Sequence, residues 1–91
     1  MIWGIEFLQE AEKDMKRLDH SVQIQVLKGI KKVSKNPLPV SQGGYGKPLG
    51  NKENTNLTNL MKIKFRDIGI RVVYKIEYVD EVMKIIVISA R

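Results

Sequence analysis

The chain has 91 residues, of which 43% are hydrophobic and 29% charged, a composition typical of a single folded domain spanning residues 1–91. It has no cysteine, which excludes disulfides, thiolate nucleophiles and cysteine metal sites. The formal net charge of +6 favours a polyanionic partner such as RNA, DNA or an acidic protein, although a basic surface without such a role is the alternative. The sequence shows no membrane-spanning run and no secretion signal, so we expect a cytoplasmic protein without a membrane partner.

The first third of the chain predicts one strand and two helices. Alternating apolar residues indicate a short strand over residues 2–7. Helical spacing predicts a helix over residues 9–18 and a second over 20–35, which Asn36 and Pro37 end. Because the two helices are closely joined, we expect a helical hairpin. The apolar stripe of the second helix is widened by Leu27 and otherwise consists of Val22, Val26, Ile30 and Val33.

Residues 36–59 are rich in Gly, Pro and Asn, and a connection of this length within a small domain is often functional. Its segment 43–47 (GGYGK) superficially suggests a phosphate-binding loop. Ser41 and Pro48, however, stand where that motif requires Gly and Ser or Thr. We therefore predict a flexible loop over this segment.

Three strands are predicted in the last third of the chain, over residues 60–66, 70–78 and 82–90. In the first of them Lys62, Lys64 and Arg66 alternate with apolar residues, so the three cations share one face. A tight turn over residues 67–69 follows. In the second strand the predicted buried face consists of Ile70, Val72, Tyr74, Ile76 and Tyr78. The last strand has a nearly continuous apolar run and is expected to be central and buried on both faces.

Because the last three strands are consecutive in the chain, the order of elements predicts an α+β fold. An N-terminal strand and a helical hairpin would pack on one face of a small, mainly antiparallel sheet, leaving the other face open for function. If the strand register allows it, Arg71 joins Lys62, Lys64 and Arg66 on that face. A solvated sheet face is one interpretation; a site for a phosphodiester, which Arg and Lys donors suit, is the other. The single histidine, His20, has no partners for a metal site or a catalytic triad.

Residues 62–74 (KIKFRDIGIRVVY) resemble the core motif of the RelE/ParE toxin superfamily, in which a basic strand and a turn precede an Arg-Val-Val/Ile-Tyr strand. Residues 11–19, 46–49 and 85–91 are also similar to the family, so the resemblance covers essentially the whole chain. It implies a RelE-like fold and the toxin component of a type II toxin–antitoxin system.

The resemblance further implies a metal-independent endoribonuclease, without a cofactor, that cleaves mRNA at the ribosomal A site. Lys62 and Lys64 match the family's basic strand, Arg71 matches the arginine that holds the scissile phosphate, and Arg91 matches the active-site arginine at the end of the last strand. The implied partners are a cognate antitoxin, mRNA and the ribosome. We also predict RNA contacts by Tyr45, Lys47 and Arg66, with an ordinary loop as the alternative for the first two.

Two alternatives share this fold. One is a ParE-like inhibitor of DNA gyrase, and the other is a non-catalytic or degenerate toxin-fold binding protein. Family members usually continue beyond the last arginine with a tail that often includes a Tyr, and no residue follows Arg91 in this sequence. The dense basic strand together with Arg71 and Arg91 favours the nuclease.

Overall fold

The computed structural model describes residues 3–49 and 60–90. The strands are β1 (Gly4–Phe7), β2 (Lys47–Pro48), β3 (Leu60–Phe65), β4 (Ile70–Glu77) and β5 (Val82–Ala90); the helices are α1 (Gln9–Lys16) and α2 (His20–Ser34). Short 3-10 turns cover Val40–Gln42 and Arg66–Ile68. The five strands form one sheet in the order β1-β5-β4-β3-β2, in which only the β1–β5 pair is parallel. The predicted α+β fold is confirmed.

The core lies between the two helices and one face of the sheet, and Ala11 is the fully buried residue of α1. The predicted apolar stripe of α2 is confirmed for Val26, Ile30 and Val33, which are buried, while Val22 packs against the core from its edge. On β3 the predicted alternation is also correct, since Met61, Ile63 and Phe65 face the core. Leu27 was wrongly predicted as part of the stripe, because it lies off the sheet-facing side, 38% exposed, and lines an apolar groove with Phe7 and Met15.

Strand β5 has the predicted bounds and lies between β1 and β4, but the prediction that both of its faces are buried is wrong. Ile85 and Ile88 are buried, whereas Ile86 and Val87 are only half-buried. A bulge explains the nearly continuous apolar run, because it shifts the pairing with β4 by one residue and so interrupts the two-residue alternation. The second face of β5 belongs to the open face of the sheet.

Strand β4 ends at Glu77, one residue before its predicted end. Tyr78 was therefore wrongly assigned to the buried face. It is 50% exposed and meets the ring of Trp3 edge to face, with 6.2 Å between the ring centroids. Such edge-to-face packing is a favoured aromatic geometry, so the pair closes this end of the sheet.

The segment 36–46, called here the 36–46 loop, is more ordered than the flexible loop predicted from the sequence. Backbone hydrogen bonds run from Tyr45 N to Asn36 O (2.9 Å) and from Gly46 N to Leu38 O (2.9 Å). The hydroxyl of Tyr74 on β4 donates to the carbonyl of Pro37 (2.9 Å), and burial raises the pKa of this hydroxyl far above its ordinary value. The neutral hydroxyl therefore anchors the loop to the sheet.

Replacing Tyr74 with phenylalanine removes this anchor while keeping the ring. We expect the free energy of unfolding to fall by about 1–3 kcal/mol, because the buried Pro37 carbonyl loses its donor. Since the folded pKa is raised, the unmodified chain should also lose stability as pH rises above the unfolded value of about 10. Denaturant titrations at neutral pH and in alkaline buffers check both. If Tyr74→Phe and the unmodified chain lost the same free energy of unfolding in alkaline buffer, the role given to the hydroxyl would be contradicted.

Candidate functional site

The strand register brings four cations to the open face of the sheet. Lys64 on β3 lies directly opposite Arg71 on β4, and Lys62 lies opposite Lys47 on β2. Directly opposed residues of antiparallel strands project to the same face, with Cα atoms about 4.5–5.5 Å apart. Lys47, Lys62, Lys64 and Arg71, called here the cationic cluster, therefore lie on one surface.

Arg66 does not belong to this face, although the sequence predicted it as the third cation of the strand. β3 ends at Phe65, and Arg66 starts the 3-10 turn that leads to Gly69. The chain must reverse direction between β3 and β4 because Ile70 pairs with Phe65. Gly69 adopts a left-handed conformation (φ +65°) in this turn, which glycine tolerates. The predicted tight turn is thus confirmed, and Arg66 is exposed on it.

Arg71 is the cation whose surroundings leave a donor unused. Its side chain is half-buried between Lys64 on β3 and Ser89 on β5. Its Nε atom is buried, and among the described residues no acceptor bonds to it. The ion pairs within residues 3–49 and 60–90 join Arg17 to Asp14 and Lys84 to Glu77, so neither involves Arg71. A buried guanidinium donor without an acceptor is costly, and an anionic oxygen would satisfy it.

A pocket of about 500 Å³ opens beside the cationic cluster, where α2, the 36–46 loop and the end of β3 meet. Four cations line it, namely Lys47, Lys62, Lys64 and Arg66, together with a single carboxylate, that of Asp67. Tyr45 also contributes to the wall, which places all three predicted RNA-contacting residues in one pocket. This volume and charge suit a phosphate-bearing ligand.

The structure brings together Lys62, Lys64 and Arg71 of the predicted catalytic set, whereas Arg91 lies outside the described residues. Sequence reasoning missed Gln25 and Asp67 of the pocket wall. Asp67 could have been found as the carboxylate that follows the basic strand, but no signal marks Gln25. Within residues 3–49 and 60–90, no cluster of His, Asp or Glu is arranged to hold a metal ion. None of the described helices is long and apolar enough to cross a membrane.

Comparison with protein-family models and with curated protein sequences gives no match. Solved structures do match. The isolated RelE toxin of Escherichia coli aligns with a TM-score of 0.78 at 24% identity, covering 97% of this chain and 83% of that one. The chain has the RelE fold. A chain of the RelBE2 toxin–antitoxin complex of Mycobacterium tuberculosis gives a TM-score of 0.77 at 21% identity, covering 100% and 93%. For the archaeal RelE–RelB complex of Pyrococcus horikoshii the TM-score is 0.65 at 20% identity, covering 100% and 97%. The RelE-like architecture implied by the sequence motif is confirmed.

Proposed function

We propose that this chain is the toxin of a type II toxin–antitoxin pair and acts as an endoribonuclease on mRNA at the ribosomal A site. The observation that carries the proposal is the register of β3 and β4, which sets Lys64 opposite Arg71 beside Lys62 on an open sheet face. The RelE fold supports it, since the matched E. coli chain is described as a toxin. Cytoplasmic localisation is part of the same proposal.

The mechanism uses a nucleophile that RNA itself carries, the 2′-hydroxyl. Phosphoryl transfer then requires alignment, stabilisation of charge and movement of two protons. Arg71 binds the non-bridging phosphate oxygens through its guanidinium group. Lys64 or Lys62, as a neutral amine, accepts the 2′-proton. Arg91 stabilises the negative charge on the leaving 5′-oxygen, which then takes up a proton from water. The products are a 2′,3′-cyclic phosphate and a 5′-hydroxyl, formed by a route that needs no metal ion or cofactor.

An antitoxin is the proposed protein partner. Several matched chains were solved in complexes named toxin–antitoxin or RelE–RelB. With a net charge of +6, this chain would favour an acidic, partly helical segment that folds as it binds and covers the cationic cluster.

The test uses mRNA bound to ribosomes, with cut sites mapped by primer extension. We expect cleavage with 5′-hydroxyl ends, and we expect a single 2′-deoxy nucleotide at a mapped cut site to abolish the cut there, because the nucleophile is missing. Cleavage that persists at the deoxy position would contradict the mechanism.

A supercoiling assay with DNA gyrase is run in parallel. Inhibition of gyrase without any RNA cleavage would assign the chain to the ParE type instead. Salt-dependent RNA binding without cut ends would indicate a non-catalytic binding protein.

A further inference from the structure

We infer that the pocket beside the cationic cluster binds one unpaired nucleotide adjacent to the scissile phosphate, with its base stacked on Tyr45. This inference rests on the proposed action on RNA, but it concerns a separate step, the binding of a base. Single-stranded RNA is recognised mainly by stacking of splayed bases on aromatic rings, with basic residues following the phosphates. The pocket brings both kinds of group together.

Tyr45 has the exposure and neighbours of a stacking platform. The residue is 50% exposed although it lies in the wall of a pocket. The Lys32 ammonium on α2 lies 5.9 Å from the centre of its ring, a distance at which cation and ring attract each other. The ring is thus held from the side of α2 while much of it stays accessible to a base.

The backbone on either side of Tyr45 is fixed before any ligand arrives. Gly44 packs so closely on the Leu38 carbonyl that no side chain fits there. A Cβ atom at Gly46 would lie 2.6 Å from the Tyr74 hydroxyl and 2.8 Å from the Pro37 carbonyl. Both positions therefore require glycine because the loop packs closely there. A phosphate-binding role is not needed to explain these two glycines. A ring on such a fixed loop loses little conformational entropy on binding.

Phosphate groups on either side of the base have cationic partners at short range. Lys47 and Lys62 are cross-strand neighbours, and Arg66 lines the same pocket from the turn after β3. Lys62 also borders Lys64 of the proposed cleavage site along β3, about 6.5–7 Å away. Strand β3 thus connects the base pocket to the scissile phosphate. The spacing of its lysines corresponds to that of neighbouring phosphates on either side of one nucleotide. Asp67 and Gln25 provide polar groups for the base edge.

In the experiment the full chain is titrated separately with 2′-deoxyadenosine 5′-monophosphate, 2′-deoxyadenosine and inorganic phosphate. Binding is monitored by the chemical shifts of the backbone amides in NMR spectra. None of these probes can be cleaved, so binding is measured apart from catalysis. We expect the mononucleotide to shift Tyr45, Lys47 and Asp67 and to bind more tightly than either of its parts. Tyr45→Ala should weaken its Kd by about 5- to 150-fold, the effect expected for a lost base–aromatic stack.

Two variants serve as controls. Tyr45→Phe keeps the ring and should bind like the unmodified chain. Tyr78→Ala removes an aromatic residue of equal exposure, 50%, outside the pocket and should also leave binding intact. The inference is overturned if phosphate alone binds as well as the mononucleotide, if the shifted residues lie elsewhere, or if Tyr45→Ala and Tyr45→Phe bind alike.

The two proposals fail separately. If ribosome-bound mRNA is cleaved normally and any of those results is found, the base-binding proposal is refuted and the nuclease proposal stands. If the mononucleotide binds in a way that depends on the Tyr45 ring but no RNA is cleaved, the nuclease proposal is refuted and the nucleotide-binding site stands.

Discussion

Replacing Arg71 with alanine is expected to slow mRNA cleavage about 10²- to 10³-fold, the usual effect of losing one donor arranged in advance for developing negative charge. The expectation rests on the buried Nε atom, which has no acceptor among the described residues, and on the position of Arg71 opposite Lys64. The measurement is the single-turnover rate on ribosome-bound mRNA, with cut ends mapped by primer extension.

Arg71→Lys keeps the charge but loses the planar pair of donors, so we expect it to recover only part of the rate. Lys75→Ala is the matched control, because it removes a cation four residues further along the same face of β4, outside the pocket wall. It should cleave like the unmodified chain. Wild-type rates for Arg71→Ala would exclude this arginine from the reaction.

The same substitution separates a functional residue from a structural one. In the free chain Arg71 has an unsatisfied buried donor and stands among other cations, and both features cost stability. Arg71→Ala should therefore melt at the same temperature as the unmodified chain or higher, while cleavage falls. A trade of stability for activity is common where a site is arranged for a charged ligand. A large fall in melting temperature would instead show that the arginine holds the fold together.

The elements most accurately predicted from sequence are those whose burial follows a simple period. Val26 and Ile30 recur at helical spacing and face the sheet, and Lys62 and Lys64 alternate with buried residues of β3. The register that pairs Lys64 with Arg71 could be anticipated because a short turn allows few alternatives. Arg66 was misplaced because strand alternation contains no information on the residue at which the chain reverses.

The 36–46 loop is the part of the site that periodicity could not reveal. Its order depends on contacts between residues far apart in sequence, above all the bond from Tyr74 to Pro37. Composition rich in Gly and Pro is typical of flexible segments and of tightly packed ones alike. What distinguishes the two here is the space around the glycines: a Cβ at Gly43 would meet nothing within 4 Å, whereas one at Gly46 would meet three groups closer than 3.0 Å.

Replacing Gly46 with alanine is accordingly expected to lower the free energy of unfolding much more than replacing Gly43 with alanine. The added methyl group meets the Tyr74 hydroxyl, the Pro37 carbonyl and the Met61 sulfur, the last at 2.9 Å. Overpacking of this kind costs about 1–3 kcal/mol, and separating Tyr74 from Pro37 adds about 1–3 kcal/mol, so we expect a total of about 2–6 kcal/mol. Denaturant titration measures this loss.

The matched substitution is Gly43→Ala in the same loop, where φ is +87° and the surroundings are open. It should cost only the left-handed strain of about 1–2 kcal/mol. The double variant Gly46→Ala with Tyr74→Phe should lose less stability than the sum of the two single losses, because both substitutions disrupt the same contact. Full additivity, or equal costs at Gly43 and Gly46, would mean that close packing on Tyr74 does not hold the loop. The ring of Tyr45 would then lack the fixed backbone on which its proposed stacking depends.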